Sequence, residues 1–158
     1  MECRLGQTQL DIVRIENSQC SKCNKEGKPF VGNGIKSGGT YILSDTYCEG
    51  RYEVLLNSLY SSRNKYVASP LRCKCKQIAK NLNNCKEWTL KELELIQPEK
   101  VICMGNVSTH MLKLKHFHTT DKIRLNYGSP WAISTYSLKH LSMRKDLLEE
   151  ARKILEQF

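Results

Sequence analysis

Leu95-Ile96-Gln97-Pro98-Glu99-Lys100-Val101-Ile102-Cys103-Met104-Gly105 reads as the close of a helix, a proline stop, and a short strand ending in glycine. Pro98 lacks an N–H and cannot continue the helix. Val101 to Met104 is an unbroken apolar run, as expected of a strand buried on both faces. Beyond it Asn106 or Ser108 is suited to cap a helix that includes Met111 and Leu112. Before it, Lys86 to Ile96 places Trp88, Leu93 and Ile96 at helical positions. Thr89 and Glu92 have capping-box spacing there, although an earlier helix start fits equally well.

The same alternation extends outward. Thr40-Tyr41-Ile42-Leu43 is β-prone and precedes a helical stretch from Tyr52 to Tyr60, and Tyr66-Val67-Ala68 gives a second strand. Ala132 to Tyr136 gives a fourth. Leu147, Leu148, Ala151, Ile154, Leu155 and Phe158 recur at helical spacing and describe an amphipathic terminal helix. Near the start, Leu10 to Ile15 suits a short helix, and Asn24 to Gly39 reads as loop with one short strand around Phe30-Val31. Strands alternating with helices imply an α/β fold with a mainly parallel four-stranded sheet, covered on both faces, with functional loops at the carboxyl ends of its strands. A length of 158 residues suits a single domain over 1–158.

The formal net charge of +9 points to an anionic partner, with DNA or RNA first. No apolar run reaches the roughly 20 residues of a membrane helix, and Met1-Glu2-Cys3-Arg4 lacks the character of a signal peptide. The expectation is an intracellular, cytoplasmic protein that does not engage the membrane. In that compartment eight cysteines suggest metal rather than disulfides. They include a C-x-x-C pair at Cys20 and Cys23 and a second group at Cys73, Cys75 and Cys85.

The order of these features resembles that of the bacterial and archaeal iron–sulfur uracil-DNA glycosylases. The C-x-x-C pair, a strand running into cysteine, a later cysteine and the Leu95–Gly105 segment follow one another as in that family, and Lys28-Pro29-Phe30-Val31-Gly32-Asn33-Gly34 is similar to its segment before the first strand. The resemblance implies a three-layer α/β/α sandwich of the uracil-DNA glycosylase type and a [4Fe–4S] cluster held by Cys20, Cys23, Cys73 and Cys85, with Cys75 as a rival to Cys73. Structural zinc satisfies the same four thiolates. Cys3, Cys48 and Cys103 read as ordinary thiols.

A glycosylase of this kind flips a nucleotide, stacks the base and reads its polar edge. The family's strand-end "GEAPG" loop corresponds here to Ser44-Asp45-Thr46-Tyr47-Cys48, which retains none of those residues at its place. Asp45 is the catalytic carboxylate that the resemblance offers, or else a cap for a helix or turn. Tyr47 and Tyr52 are candidates for the stacking ring or for core packing. Ser69 stands at the place of the base-reading asparagine, and Ser137 at that of the histidine which stabilises charge on uracil. His140, three residues later, is a second catalytic candidate or a helix-start surface residue.

Arg72, Lys74, Lys76 and Lys80 surround the third cysteine, while Lys113, Lys115, His116, His118, Lys122 and Arg124 crowd the chain before the last strand. Together with Lys139, Arg72, Lys74, Lys76, Lys113 and Lys115 are the expected phosphate contacts. The leading expectation is a divergent family member that binds single- or double-stranded DNA in replication or repair, with a replication or repair protein as a further partner, and without ordinary uracil excision. An active glycosylase on uracil or a modified base using Asp45, and a protein-binding scaffold with a structural cluster, are the alternatives.

Overall fold

The computed structural model describes residues 2–21, 29–73, 78–115 and 117–158. The elements run α1 (Glu2–Ser18), β1 (Asn33–Gly34), β2 (Thr40–Ser44), α2 (Arg51–Leu59), β3 (Lys65–Ala68), α3 (Ile78–Ile96), β4 (Lys100–Met104), α4 (Asn106–Met111), β5 (Asp121–Lys122), β6 (Trp131–Thr135), α5 (Leu138–Met143) and α6 (Lys145–Gln157). The fold is mixed α/β. Its sheet has the order β1-β3-β2-β4-β6-β5, six strands rather than the four read from the sequence. The four anticipated strands are parallel to one another. The two additions are antiparallel, two-residue edge strands, too short to carry any periodicity.

Alternation along the central strands divides the core into two. Tyr41, Leu43, Tyr66, Ala68, Val101 and Cys103 meet Leu10 of α1, Leu93 and Ile96 of α3 and Met111 of α4. Ile42, Ile102, Met104 and Ile133 meet Leu56 of α2, Leu138 and Leu141 of α5 and Ala151 and Leu155 of α6. Every residue of β2 is buried. Both faces are therefore covered by helices, which is why the strands read as continuous apolar runs.

Three local expectations change. Phe30-Val31 is not a strand; the Phe30 N–H instead donates to the Arg72 carbonyl. The first helix is far longer than Leu10–Ile15. Because α3 begins at Ile78, Thr89 and Glu92 lie inside the helix and are buried, so their spacing is not a capping box.

These two residues instead join a polar network within the core. The Glu92 carboxylate accepts from Tyr41 Oη at 3.0 Å, from Tyr66 Oη, and from Arg72 Nη2, which also donates to Thr89 Oγ1 at 3.0 Å. Arg72 is fully buried and Glu92 nearly so. Burial by itself disfavours the charged guanidinium, but the Glu92 charge and hydrogen bond outweigh it and hold Arg72 above its ordinary range. Burial and the Glu92 charge push both phenols well above their ordinary 10.0. Gly32 lies against this group, and a Cβ there would overlap Tyr66 Oη and stand 2.7 Å from Glu92 Oε2. Its missing side chain is a packing requirement.

Removing one member of a buried ion pair leaves an unpaired charge in the core, so Glu92→Leu is expected to lower unfolding stability by about 3–5 kcal/mol in urea titrations. The raised phenol values set a pH dependence as well. Stability from neutral Tyr41 and Tyr66 is fully present below the unfolded value of 10.0 and is lost as pH rises past it. The urea midpoint should therefore be flat from neutrality to about pH 9 and fall above pH 10.

Candidate functional site

The carboxyl ends of the parallel strands meet at one edge of the sheet, where β2 runs into Ser44–Cys48 and β4 into Gly105 and α4. Asp45 joins these two loops. Its Oδ2 accepts from Val107 N at 2.9 Å, and its Oδ1 accepts from Ser108 N at 2.7 Å and Ser108 Oγ at 2.6 Å. Asp45 N in turn donates to Met104 O at 3.0 Å. The helix-capping reading of Asp45 thus describes its geometry, although the helix is α4 rather than the next one in the chain. Gly105 occupies the N-cap position, where Asn106 or Ser108 was expected. Its φ of 119° and its closeness to the Asp45 side chain, which a Cβ would overlap, both require glycine.

The other pocket candidates are similarly committed. Ser44 is buried and donates to Thr46 O at 2.7 Å. Ser137 is the N-cap of α5, its Oγ accepting from His140 N at 3.2 Å. Tyr52, in the first turn of α2, packs against the core cluster shared with α5 and α6, with its Oη accepting from Arg51 Nη2 at 2.9 Å. Tyr47 lies 5.2 Å from the Phe30 ring. Ser69 is the exception. It is buried, and its Oγ has no hydrogen-bond partner among the described residues. A buried hydroxyl left open is costly unless a water or ligand fills it.

Sequence reasoning missed an aromatic group next to this edge. Tyr136, directly after β6, has the His118 ring edge-on at 5.1 Å, the His140 ring at 5.6 Å and the Phe117 ring at 5.7 Å. Phe117 is 37% exposed, and His140 is exposed. His118 is held by its backbone N–H to Ser134 O at 2.8 Å and by ring contacts to Thr135 Oγ1 at 3.2 Å and Glu150 at 3.3 Å. The signal was present in Lys115-His116-Phe117-His118, an aromatic between basic residues, which was read for its charge alone. His140 therefore sits on an aromatic platform, at the surface.

Cys20, Cys73 and Cys85 are all buried, whereas Cys23 and Cys75, the rival to Cys73, lie outside the described residues. A chain of hydrogen bonds connects their supports. Cys20 N donates to Asn17 O at 3.1 Å, Asn17 Nδ2 to Phe30 O at 3.0 Å, Phe30 N to Arg72 O, and Arg72 N to Cys85 Sγ at 3.4 Å. Among the described residues no three His, Cys, Asp or Glu side chains group as metal ligands. The Arg72 Nε and Nη1 donors are nevertheless buried without acceptors among the described residues, immediately before Cys73. Orphaned cationic donors beside cysteines suit an anionic thiolate centre. Cys48 and Cys103 are poor candidates for ligation, since burial pushes the first thiol up to about 11 and the second higher still.

Arg72 is a correction. A guanidinium sealed in the core against Glu92 cannot reach a phosphate. Lys113, Lys115 and Lys139 are exposed, and the Lys139 N–H donates to Thr46 Oγ1 at 3.0 Å, tying α5 to the β2 loop. Lys74 and Lys76 lie outside the described residues. No helix among the described residues is long and apolar enough to cross a membrane.

As a cap satisfying backbone donors of α4, Asp45 should contribute about 1–2 kcal/mol, so Asp45→Ala is expected to lower the unfolding free energy by that amount. Chemical denaturation followed by far-ultraviolet circular dichroism measures this.

Comparison with protein-family models and with curated proteins returns no match to this chain.

Proposed function

We propose that this chain is a divergent relative of the iron–sulfur uracil-DNA glycosylases that binds DNA at the strand-end edge without ordinary uracil excision. The observation carrying this reading is the engagement of both Asp45 carboxylate oxygens by Val107 and Ser108. A carboxylate with both oxygens occupied by hydrogen bonds from a helix terminus is poorly placed to accept a proton from an attacking water. Ser137 is likewise spent on a helix cap where the resemblance would place a histidine. Losing groups aimed at transition-state charge typically lowers the rate about a hundredfold or more for each.

Support for DNA as the ligand is the net charge of +9, exposed Lys113, Lys115 and Lys139, and the Phe117–Tyr136–His140 rings on which unpaired bases can stack. The parallel strands and the helices on both faces are in keeping with the sandwich that the resemblance implies. The reading also assigns Cys20, Cys23, Cys73 and Cys85 to a [4Fe–4S] cluster, with zinc as the competing occupant. Its service is structural, fixing the end of α1 against the start of α3. The Arg72 N–H to Cys85 and the orphaned Arg72 donors favour a negatively charged centre there.

The test is purification without oxygen, followed by a visible spectrum, metal analysis and incubation with uracil-containing and modified oligonucleotides. Broad visible absorption with about four irons per chain, salt-sensitive DNA binding and no abasic product are expected. Abasic sites that disappear in Asp45→Asn would overturn the non-catalytic reading. A colourless protein with one stoichiometric zinc would overturn the cluster.

A further inference from the structure

On the α3–α4 side of the sheet, a cavity of about 810 Å³ opens between α3, the end of α4 and residues 121–127. A second, of about 380 Å³, adjoins it and shares Asn83, Lys86, Met111, Lys113 and Leu114. A third continues along α4 through His110 and Lys115 to Phe117. The three form one groove, leading from the exposed aromatic rings down the length of α4.

Its lining combines apolar side chains with cationic ones. Leu90, Met111, Leu114 and Ile123 line the apolar side, and Lys86, Lys113, Lys115 and Arg124 supply charge without an ion-pair partner among the described residues. Of the acids on the larger cavity, Glu87 pairs with Lys91 at 2.8 Å, and Asp121 accepts from Lys122 N at 2.8 Å; Glu94 is the third. The middle cavity has no acidic residue in its lining.

Lys113 carries an independent sign of function. It follows α4 with φ 58°, while Lys113 N donates to His110 O at 3.1 Å and Leu114 N to Thr109 O at 3.0 Å. That is a Schellman helix end with lysine at the left-handed position, which favours glycine. A lysine thus occupies a position that favours glycine, and it lines the two larger cavities of the groove.

We infer that this groove is the path of a single DNA strand, with bases on the Phe117 ring and the apolar lining and phosphates on Lys115, Lys113, Lys86 and Arg124. A duplex, with its bases stacked inward, has no unpaired base to offer the rings. The inference rests on the DNA-binding reading above and adds the strand form and its route.

The experiment measures affinity of the full chain for single-stranded and duplex oligonucleotides across a salt series, for wild type, Lys113→Gly, Lys86→Gln with Arg124→Gln, and Lys139→Ala. Lys113→Gly should raise Tm by about 2–4 °C, while reducing single-strand affinity about fivefold at 0.1 M salt and the log–log salt slope by about 0.7. The double variant, at two surface positions, should lose about twice that slope. If Lys113→Gly is stabilised and both groove variants bind as wild type while Lys139→Ala weakens, the groove is not the path, and DNA binding at the strand-end edge stands. If wild type binds neither form of DNA, the functional reading falls and the groove path with it.

Discussion

A single buried carboxylate holds this fold together. Glu92 accepts from two tyrosines on neighbouring strands and from an arginine in the crossover after β3, so it joins α3 to β2, β3 and the entry to the cysteine region. Its cost is desolvation, and only the full set of partners offsets that cost. Partial occupancy would be worse than an apolar core. The network therefore fixes which strands pair beneath α3 and excludes alternative packings that would strand the charge. Gly32, the buried tyrosines and the position of Arg72 all follow from it.

The strand-end edge is built by a different device of the same kind. Asp45 and Ser137 spend their oxygens on helix ends, so two positions read as candidates for chemistry bear architecture. What remains available is an open hydroxyl at Ser69, exposed rings and lysines. Such groups suit the holding and positioning of a ligand.

Much of the scaffold was legible because the four long strands announce themselves by apolar runs between punctuating glycine and proline. Val101–Met104 followed by Gly105 needed no tertiary knowledge. The edge strands escaped because two residues cannot show a period. For Glu92 the earlier of the two helix starts that fitted the sequence holds, and a carboxylate on the stripe of Trp88, Leu93 and Ile96 is the sign of burial that the capping-box spacing obscured. Arg72 was misassigned for the reverse reason, since charge in a basic cluster implies exposure only until a partner in the core is known. Asp45 was recognised as a possible cap, but its helix lies beyond 60 positions along the chain, at Val107 and Ser108, and no local pattern encodes that pairing. The Phe117 platform depends on His118 folding back onto β6, a long-range event that His116-Phe117-His118 by itself does not specify.

The Asp45 tether also governs how the molecule moves. It joins the outlets of adjacent central strands, β2 and β4, and the Thr46–Lys139 contact carries the linkage to α5 beyond β6. Each outlet is thereby hydrogen-bonded to a neighbour, and the edge is held to the sheet as one connected surface rather than as separate loops. A ligand arriving there meets a surface already ordered, and the entropy of arranging it has been spent during folding rather than at the moment of encounter.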